Sequence, residues 1–369
     1  MSTATVRSMT ELRCRSLVGH ELLGPVEVTF EDGVVSGIET LDAGHETFDV
    51  EVLAPGFIDW QVNGVDDLDV WRIAREGDTE SFSELTARQL RRGVTSWMPT
   101  LVSAPKSDYE SALVHLERWT SESGGRVLGV HLEGPFLGSA PGAHRRDAIT
   151  TADPVWIRSL PDVVNVMTVA AENEGVGAVV EELTTRGVRV SIGHSRPTRR
   201  EFEHAVALGA SAVTHLFNAM SGLDHRQPGL AAWALLHEGL WCGLIADGVH
   251  VSPEMIALAF RLSSPRITLV TDSVAWKTQE SRTEIRDGAP RLADGTLAGS
   301  STTMLDSIAT CVRAGVSWTA AIHAATANVA DFLGMSDRGR IDIGRRADFT
   351  AFDDRRQLTG VWSAGDRVV

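Results

Sequence analysis

Apolar runs and helical patterns alternate along the middle of the chain. Eight apolar runs have the length of strands, and helical stretches separate them. Continuous apolar runs are typical of parallel strands that are buried on both faces. Eight strand–helix units over about 280 residues predict an α/β fold, the (β/α)8 barrel. The predicted strands are Leu53–Asp59, Val94–Leu101, Val127–Leu132, Val163–Ala170, Val188–Gly193, Ala212–Leu216, Leu240–Ala246 and Ile267–Thr271.

Both ends of the chain have a different pattern, in which short β-rich runs are separated by turn residues. Asp32-Gly33 lies between two such runs and is typical of a hairpin turn. Neither end has enough strands to bury a core alone. We therefore expect the ends to pair into one small β-sandwich domain, formed by residues 1–54 and 341–369. The barrel is then expected to span residues 55–340.

Composition narrows the classes of partner and of site. The 369 residues carry 34 Lys and Arg against 49 Asp and Glu, a net charge of −15, which argues against nucleic acid and membrane partners. We find no signal peptide and no membrane-spanning segment in the sequence. Cys14, Cys242 and Cys311 form no CxxC pair, which argues against a disulfide framework and a thiolate zinc site. We expect a cytoplasmic protein.

Polar side chains stand where the predicted barrel strands end. A barrel collects its functional residues at the carboxyl ends of its strands, so these side chains should converge although the sequence scatters them. Apolar strands have no structural need to end in histidine and carboxylate residues. The residues concerned are Asp59, Gln61, Asn63, His131, Glu133, His194, His215, Asn218, Asp247, His250 and Asp272.

Three of these residues have the composition of a catalytic metal site. Glu133, His194 and His215 would supply three oxygen and nitrogen ligands and leave a fourth position open for water. Zinc fits this set, and iron, manganese or cobalt would also fit. The alternative interpretation is that the histidines are hydrogen-bonded core residues. Three ligands at neighbouring positions of the rim favour the metal site.

Two further residues are candidates for the chemical step. Asp272 follows a very apolar run, where a carboxylate is costly to bury unless it has a partner, so we interpret it as the general base and acid. His250 could polarise a substrate carbonyl, although an exposed loop histidine is the alternative. Asp247 precedes Gly248 at a tight turn, and we interpret it as mainly structural.

Several motifs resemble one family of enzymes. Pro55-Gly-Phe-Ile-Asp59, the polar strand ends and Asp272 resemble the amidohydrolase superfamily, and the β-rich ends match its flanking sandwich. The finer motifs are similar to those of its N-acetylglucosamine-6-phosphate deacetylase branch. These are Asp59-Trp-Gln-Val-Asn-Gly64, His131-Leu-Glu-Gly-Pro-Phe-Leu137, Gly193-His-Ser195, Thr214-His-Leu-Phe-Asn-Ala-Met220, Ile245-Ala-Asp-Gly-Val-His250, Leu269-Val-Thr-Asp272 and Gly295-Thr-Leu-Ala-Gly-Ser300.

The resemblance implies a single divalent metal ion per subunit. Many amidohydrolases carry Asp-x-His-x-His on the first strand, where the histidines bind a second metal. Gln61 and Asn63 stand at those positions here, and neutral amides bind transition metals poorly. We expect both residues to form a hydrogen-bonding wall of the substrate site.

The resemblance also implies how substrate is recognised. The backbone at Asn218 and Ala219 would hold a sugar phosphate, and Arg226 would complete that site across the interface of a homodimer. His144 matches a substrate-contacting histidine. Ala140-Pro141 departs from the family pattern, because basic residues are common at those positions.

The implied activity is hydrolysis of N-acetyl-D-glucosamine 6-phosphate, an amino-sugar phosphate, to glucosamine 6-phosphate and acetate. A metal-activated water would attack the acetamide, and Asp272 would transfer the protons. The departure at Ala140-Pro141 leaves two other substrates open, N-acetylgalactosamine 6-phosphate and an N-acyl amine without phosphate. A barrel that binds sugar phosphate without catalysis is the third alternative, and binding alone would not require Asp272.

Overall fold

A computed structural model describes residues 10–19, 21–42, 44–278 and 283–369. Its centre is a barrel of eight parallel strands, which confirms the predicted fold class. Strand 8 is interrupted at residues 270–272, and Ser273–Ala275 then pairs with strand 1 and closes the ring. Barrel strands 1 to 8 are Phe57–Asp66, Val94–Val102, Val130–Glu133, Val164–Val169, Arg189–Ile192, Ala210–Val213, Trp241–Leu244 and Ile267–Leu269.

The first predicted strand is wrong in its boundaries. The run Leu53–Asp59 is divided between two strands, one that ends at Pro55 in the terminal sheet and one that begins at Phe57 in the barrel. Gly56 lies between them, and a Cβ there would lie 2.2 Å from Thr95 Oγ1. The chain can therefore pass from one sheet to the other only with glycine at this close approach.

Helices follow the barrel strands and cover the outside of the ring. Their apolar sides pack on the strands, as the buried Phe82 and Leu85 of Thr79–Arg91 illustrate. None of the helices in the described ranges is long and apolar enough to cross a membrane. The helices are Val70–Glu76, Thr79–Arg91, Lys106–Glu122, Pro154–Ser159, Val176–Thr185, Arg199–Ala207, Leu230–Leu236, Pro253–Ser263, Met304–Arg313, Trp318–Ala324 and Ala327–Leu333.

The two ends of the chain share one mixed sheet, as predicted. Val50–Pro55 pairs in parallel with Thr10–Val18 and antiparallel with Phe349–Phe352, so it joins the two ends. The predicted Asp32-Gly33 turn is present, and both residues have positive φ, 52° and 78°. The remaining strands of this sheet are Leu22–Leu23, Val26–Glu31, Val34–Thr40, Leu358–Ser363 and Asp366–Arg367.

This terminal sheet has its own core, which includes Phe30, Ala347 and Phe349. The rings of Phe30 and Phe349 are 5.5 Å apart, and Ala347 N–H donates to Gly33 O at 2.8 Å. Residues 1–9 of the predicted sandwich domain lie outside the described residues. The domain boundaries at residues 54 and 340 stay a prediction.

Candidate active site

A cavity of about 860 Å³ lies at the rim where the barrel strands end. It is lined by nine of the eleven residues that were predicted to bind metal, to bind substrate or to act in catalysis, and the sequence spreads these nine over more than 200 positions. Gln61 is fully buried beneath the cavity, and Arg226 lies on an exposed loop that does not line it. The nine lining residues are Asn63, Glu133, His144, His194, His215, Asn218, Ala219, His250 and Asp272.

Glu133, His194 and His215 bring their donor atoms together at the ends of strands 3, 5 and 6. Glu133 Oε1 lies 3.1 Å from His194 Nε2 and 3.1 Å from His215 Nε2. The two Nε2 atoms are 3.0 Å apart. Ligands of one tetrahedral zinc ion lie about 3.3 Å from each other, so the three atoms have nearly the separation that a shared cation imposes. This donor set therefore fits a divalent metal ion.

The hydrogen bonds around these rings also fit a metal. His194 Nδ1–H donates to Ala140 O at 3.0 Å, which leaves a lone pair on Nε2. Three buried atoms of the site have no hydrogen-bond partner among the described residues: His215 Nδ1, Gln61 Oε1 and Asn63 Oδ1. Buried polar atoms without a partner are rare in proteins, and they indicate a site that binds ions, water or substrate.

His144 lies close to the same cluster but is bonded differently. Its Nε2 is 3.8 Å from Glu133 Oε2, so it could complete a metal-binding group with Glu133 and His194. Its Nδ1 accepts the backbone N–H of Ser103 at 3.3 Å, however, which puts the ring proton on Nε2. Burial, assisted by the neighbouring His194, lowers the pKa of His144 to about 3. His144 is therefore a neutral donor that faces the cavity, and His215 is the better third ligand.

Asp272 is held by the two amides of strand 1. Asn63 Nδ2 donates to its Oδ1 at 2.7 Å, and Gln61 Nε2 donates to the same atom at 3.2 Å. Gln61 Nε2 also donates to Glu133 Oε1 at 3.2 Å. Burial and the negative charge of Glu133 raise the pKa of Asp272 to about 8. A cation between the two carboxylates would lower that pKa, because it favours the charged form.

Four residues of the site have a backbone conformation that is unusual for a side chain with a Cβ. The φ angles of His194, His215, Ala219 and Asp272 are 50°, 35°, 48° and 48°. Such strain is found where the surrounding structure holds a residue in place for function. It turns the side chains that follow strands 5, 6 and 8 into the cavity.

His250 is not the exposed loop residue of the alternative interpretation. Its side chain is 5% exposed, and Nδ1 is 2.7 Å from Asp247 Oδ2. Burial opposes ionisation of Asp247, yet hydrogen bonds from His250 hold its pKa below the usual value. The structural interpretation of Asp247 is incomplete, because this carboxylate also orients a ring that lines the cavity.

Glu172 belongs to the site although it is not among the residues predicted from the sequence. It follows strand 4 and accepts the N–H groups of Ser139 at 3.0 Å and Arg196 at 2.8 Å, as well as the hydroxyl of Ser195. Glu172 thus connects residues 195 and 196, which follow His194, to the loop at residues 139 and 140. The Ala140 carbonyl of that loop orients the His194 ring. The signal was available, since Glu172 is a polar residue just beyond a barrel strand.

Two polar strand-end residues point away from the cavity. Asp59 accepts Thr271 Oγ1 at 2.6 Å and so joins strand 1 to the end of strand 8. His131 bonds to Thr168 Oγ1 at 2.8 Å in the barrel interior, and burial lowers its pKa to about 4. Both are structural residues.

The predicted phosphate cradle consists of the backbone N–H groups of Asn218 and Ala219. Within the described residues, only one of these two groups is free to bind a phosphate. Asn218 N–H already donates to His215 O at 2.9 Å, whereas Ala219 N–H has no acceptor in the described parts of the chain. Arg226 N–H donates to Asp224 in its exposed loop, away from the cavity of its own chain.

Comparisons with known proteins agree with these features. The sequence profile of the amidohydrolase family matches residues 52–368. The chain is 32% identical to N-acetylgalactosamine-6-phosphate deacetylase of Escherichia coli O157:H7, over 96% of this chain and 98% of that protein. It is 34% identical to N-acetylglucosamine-6-phosphate deacetylase of Rattus norvegicus, over 95% of this chain and 90% of that protein.

Solved structures are similar over the whole chain. N-acetylglucosamine-6-phosphate deacetylase of Thermotoga maritima superimposes with a TM-score of 0.88 and 28% identity, covering 98% of this chain and 99% of that one. A mutant of the Mycobacterium smegmatis deacetylase, in complex with N-acetyl-D-glucosamine 6-phosphate, also gives 0.88, with 27% identity and coverage of 98% and 100%.

Proposed function

The chain belongs to the amidohydrolase family, and we propose that it hydrolyses N-acetyl-D-glucosamine 6-phosphate to D-glucosamine 6-phosphate and acetate. The observation that carries the proposal is the convergence of Glu133, His194, His215 and Asp272 in one cavity, with the donor atoms of the first three 3.0–3.1 Å apart. Relatives named for this activity match nearly the whole chain. The enzyme is thus a hydrolase that acts on an amide.

Glu133, His194 and His215 would hold one divalent metal ion, and zinc suits these ligands. Such an ion supplies Lewis-acid polarisation and lowers the pKa of water. Gln61 and Asn63 place amides beside this site instead of metal ligands. The Gln61 amide donates to Glu133 and to Asp272, and the Asn63 amide donates to Asp272. This arrangement supports one ion per chain.

Asp272 would move the protons of the reaction. Its Oδ1 accepts both amides of strand 1, so Oδ2 remains for the attacking water. After taking the proton of the water, Asp272 would give one to the amine nitrogen as the C–N bond breaks. Its carboxylate is buried and fixed by these two amides, so it is oriented for proton transfer within the cavity.

His250 and His144 would orient the substrate. Asp247 holds His250 through Nδ1 and so directs Nε2, which would lie against the acetamide oxygen and stabilise the negative charge that develops there. His144 Nε2–H and the N–H of Ala219 face the cavity as donors for the sugar phosphate.

We place the active enzyme in the cytoplasm as a homodimer in which the partner subunit's Arg226 reaches the phosphate. The exposed position of Arg226 outside its own cavity supports this arrangement. The three cysteines are free and buried, as is usual in a reducing compartment.

A second candidate substrate is the galactosamine epimer, because a relative named for it matches 96% of the chain. The decisive experiment measures acetate release from both 6-phosphates and from both unphosphorylated sugars, with metal analysis of the same sample. We expect turnover of a phosphorylated sugar and about one metal ion per chain. No acetate release from any of the four by metal-loaded protein would exclude the deacetylase and leave the non-catalytic alternative.

A further inference from the structure

Arginine side chains collect around the cavity of a strongly acidic chain. Five arginines line it although the net charge is −15. Arg145 pairs with Asp147, and Arg72 donates to Glu76 at 3.3 Å. The side chains of the other three have no hydrogen bond or ion pair within the described ranges. The five are Arg72, Arg75, Arg145, Arg146 and Arg196.

Arg196 differs from the other four in its place beside the phosphate cradle. The preceding residue, Ser195, donates its N–H to Ala219 O at 3.1 Å and forms a bridge with Met220. The N–H of Arg196 is fixed by Glu172 at 2.8 Å. The backbone of Arg196 is therefore held against the segment that carries the open Ala219 N–H, and its exposed side chain lines the same cavity.

We propose that Arg196 is a phosphate-binding residue that acts within its own chain, beside Ala219. This inference rests on the proposed function and deepens it. One free backbone N–H is a weak site for a dianion, because Asn218 N–H is already bonded and residues 140 and 141 are uncharged. A guanidinium offers a fork of donors that matches phosphate oxygens. Arg196 thereby supplies a positive charge that needs no partner subunit.

The test compares Arg196→Gln with Arg200→Gln. Arg200 is an exposed arginine on the next helix, does not line the cavity and has no side-chain partner in the part of the chain described. Each variant removes one positive charge. If only the overall charge of the protein affected the binding of the phosphorylated sugar, both variants would bind it equally weakly. We expect Arg196→Gln alone to raise the KM of the phosphorylated sugar by about 10- to 100-fold, with kcat nearly unchanged.

Inorganic phosphate gives a second measurement that does not depend on turnover. Its binding to metal-loaded protein, measured by calorimetry, should weaken in Arg196→Gln and stay unchanged in Arg200→Gln. If the parent protein does not hydrolyse a phosphorylated sugar, the proposed function fails, and phosphate binding still tests Arg196. Unchanged KM and unchanged phosphate binding in Arg196→Gln would overturn the inference. So would an equal loss on phosphorylated and unphosphorylated sugars, because that result indicates a structural role.

Mixed dimers test whether Arg196 acts within its own chain. In a hybrid of Arg196→Gln and Asp272→Asn subunits, neither site has both residues if they act in the same chain. We therefore expect no recovery of activity at low substrate concentration. Recovery to about half of the parent activity would mean that Arg196 acts across the interface, which contradicts the inference.

Discussion

Asp247 and His250 are joined by two hydrogen bonds that fix one imidazole ring. The Asp247 carboxylate accepts the backbone N–H of His250 through Oδ1 and lies against ring Nδ1 through Oδ2, both at 2.7 Å. Oδ1 also accepts Val249 N–H at 2.8 Å. The same carboxylate therefore stabilises the turn and sets the direction of Nε2, so the structural role and the positioning role are compatible.

Replacing Asp247 with asparagine should impair catalysis through His250. The amide keeps one oxygen for the turn, but an NH2 group replaces the second carboxylate oxygen, which holds ring Nδ1. We expect kcat to fall by about 10- to 100-fold, with the metal content unchanged. A double-mutant cycle checks this explanation: Asp247→Asn should add little to the loss already caused by His250→Gln. If the two losses multiply, Asp247 does not act through His250.

Asp272→Asn should keep the fold and the bound metal, but its kcat should fall. In the parent protein, Asn63 and Gln61 donate to Asp272 Oδ1. The oxygen of the asparagine can accept the same two amides, so the shape of the site is retained. An amide cannot move a proton, and we expect kcat to fall by about 10²- to 10⁴-fold with KM changed little. Steady-state kinetics and metal analysis of the variant provide the measurement. A rate within a few-fold of the parent would mean that another residue is the base.

The geometry of the metal site predicts the number of bound ions per chain and the effect of the ion on the melting temperature. We expect about one divalent ion per chain at full activity, because strand 1 offers amides instead of imidazoles. Removal of the ion by a chelator should lower the melting temperature, since an ion that binds only the folded state stabilises it. His194→Ala and His215→Ala should lose the ion, the activity and this response, whereas Asp272→Asn should retain both the ion and the response. Two ions per chain at full activity would contradict the interpretation of Gln61 and Asn63.

The rim residues could be predicted because barrel strands leave a simple signature. A strand buried on both faces is an apolar run, and the first polar residues beyond it mark the rim, as His194 does two residues after Ile192. The interruption of strand 8 could not be predicted in this way. Asp272 lies within the interruption and has a positive φ of 48°, yet the sequence has no glycine there to indicate it.

Contacts made by loop backbones could not be predicted either. The bond from His194 Nδ1 to Ala140 O uses a carbonyl, which every residue type possesses. The loop path that brings it to the ring depends on tertiary packing. The missing basic residue at position 140 is therefore visible in the sequence, whereas the role of the Ala140 carbonyl is not.

Glu172 predicts a pH-dependent contribution to stability. Burial opposes its ionisation, yet hydrogen bonds from Ser195 and from the N–H groups of Arg196 and Ser139 lower its pKa. A lowered pKa means that the stabilisation is fully present above the unfolded-state pKa of about 4.3 and is lost as the pH falls through the folded-state value. The free energy of unfolding of metal-free Glu172→Gln should therefore be about 1 kcal/mol below the parent at pH 7 and approach it in acid.

The matched control is Glu174→Gln, since Glu174 is exposed and lies two residues away. It should follow the parent at every pH in urea titrations. Glu172→Gln should also bind the metal more weakly in chelator competition, because the loop that orients His194 is loosened. A difference between Glu172→Gln and the parent that is constant from pH 7 to pH 3 would show that ionisation of Glu172 is not involved.

The last prediction concerns Arg226 and links recognition to assembly. The acidic chain repels a phosphorylated sugar, and the partner subunit's Arg226 would offset that repulsion beside Ala219. Arg226→Ala should raise the KM of the phosphorylated sugar by the equivalent of about 2–3 kcal/mol, the scale of a lost charge-assisted hydrogen bond. The unphosphorylated sugar never uses the contact, so its kinetics should change little.

Hybrid dimers of Arg226→Ala and Asp272→Asn subunits decide between the two possible positions of Arg226. If Arg226 acts across the interface, one of the two sites in each hybrid has both Asp272 and an intact arginine. Activity at low substrate concentration should then recover to about half that of the parent. This is the opposite of the result expected for Arg196→Gln, whose arginine and Asp272 act in one chain. Verified hybrids that stay inactive would mean that Arg226 acts within its own chain, and an equal loss on both sugars would mean that it supports the fold.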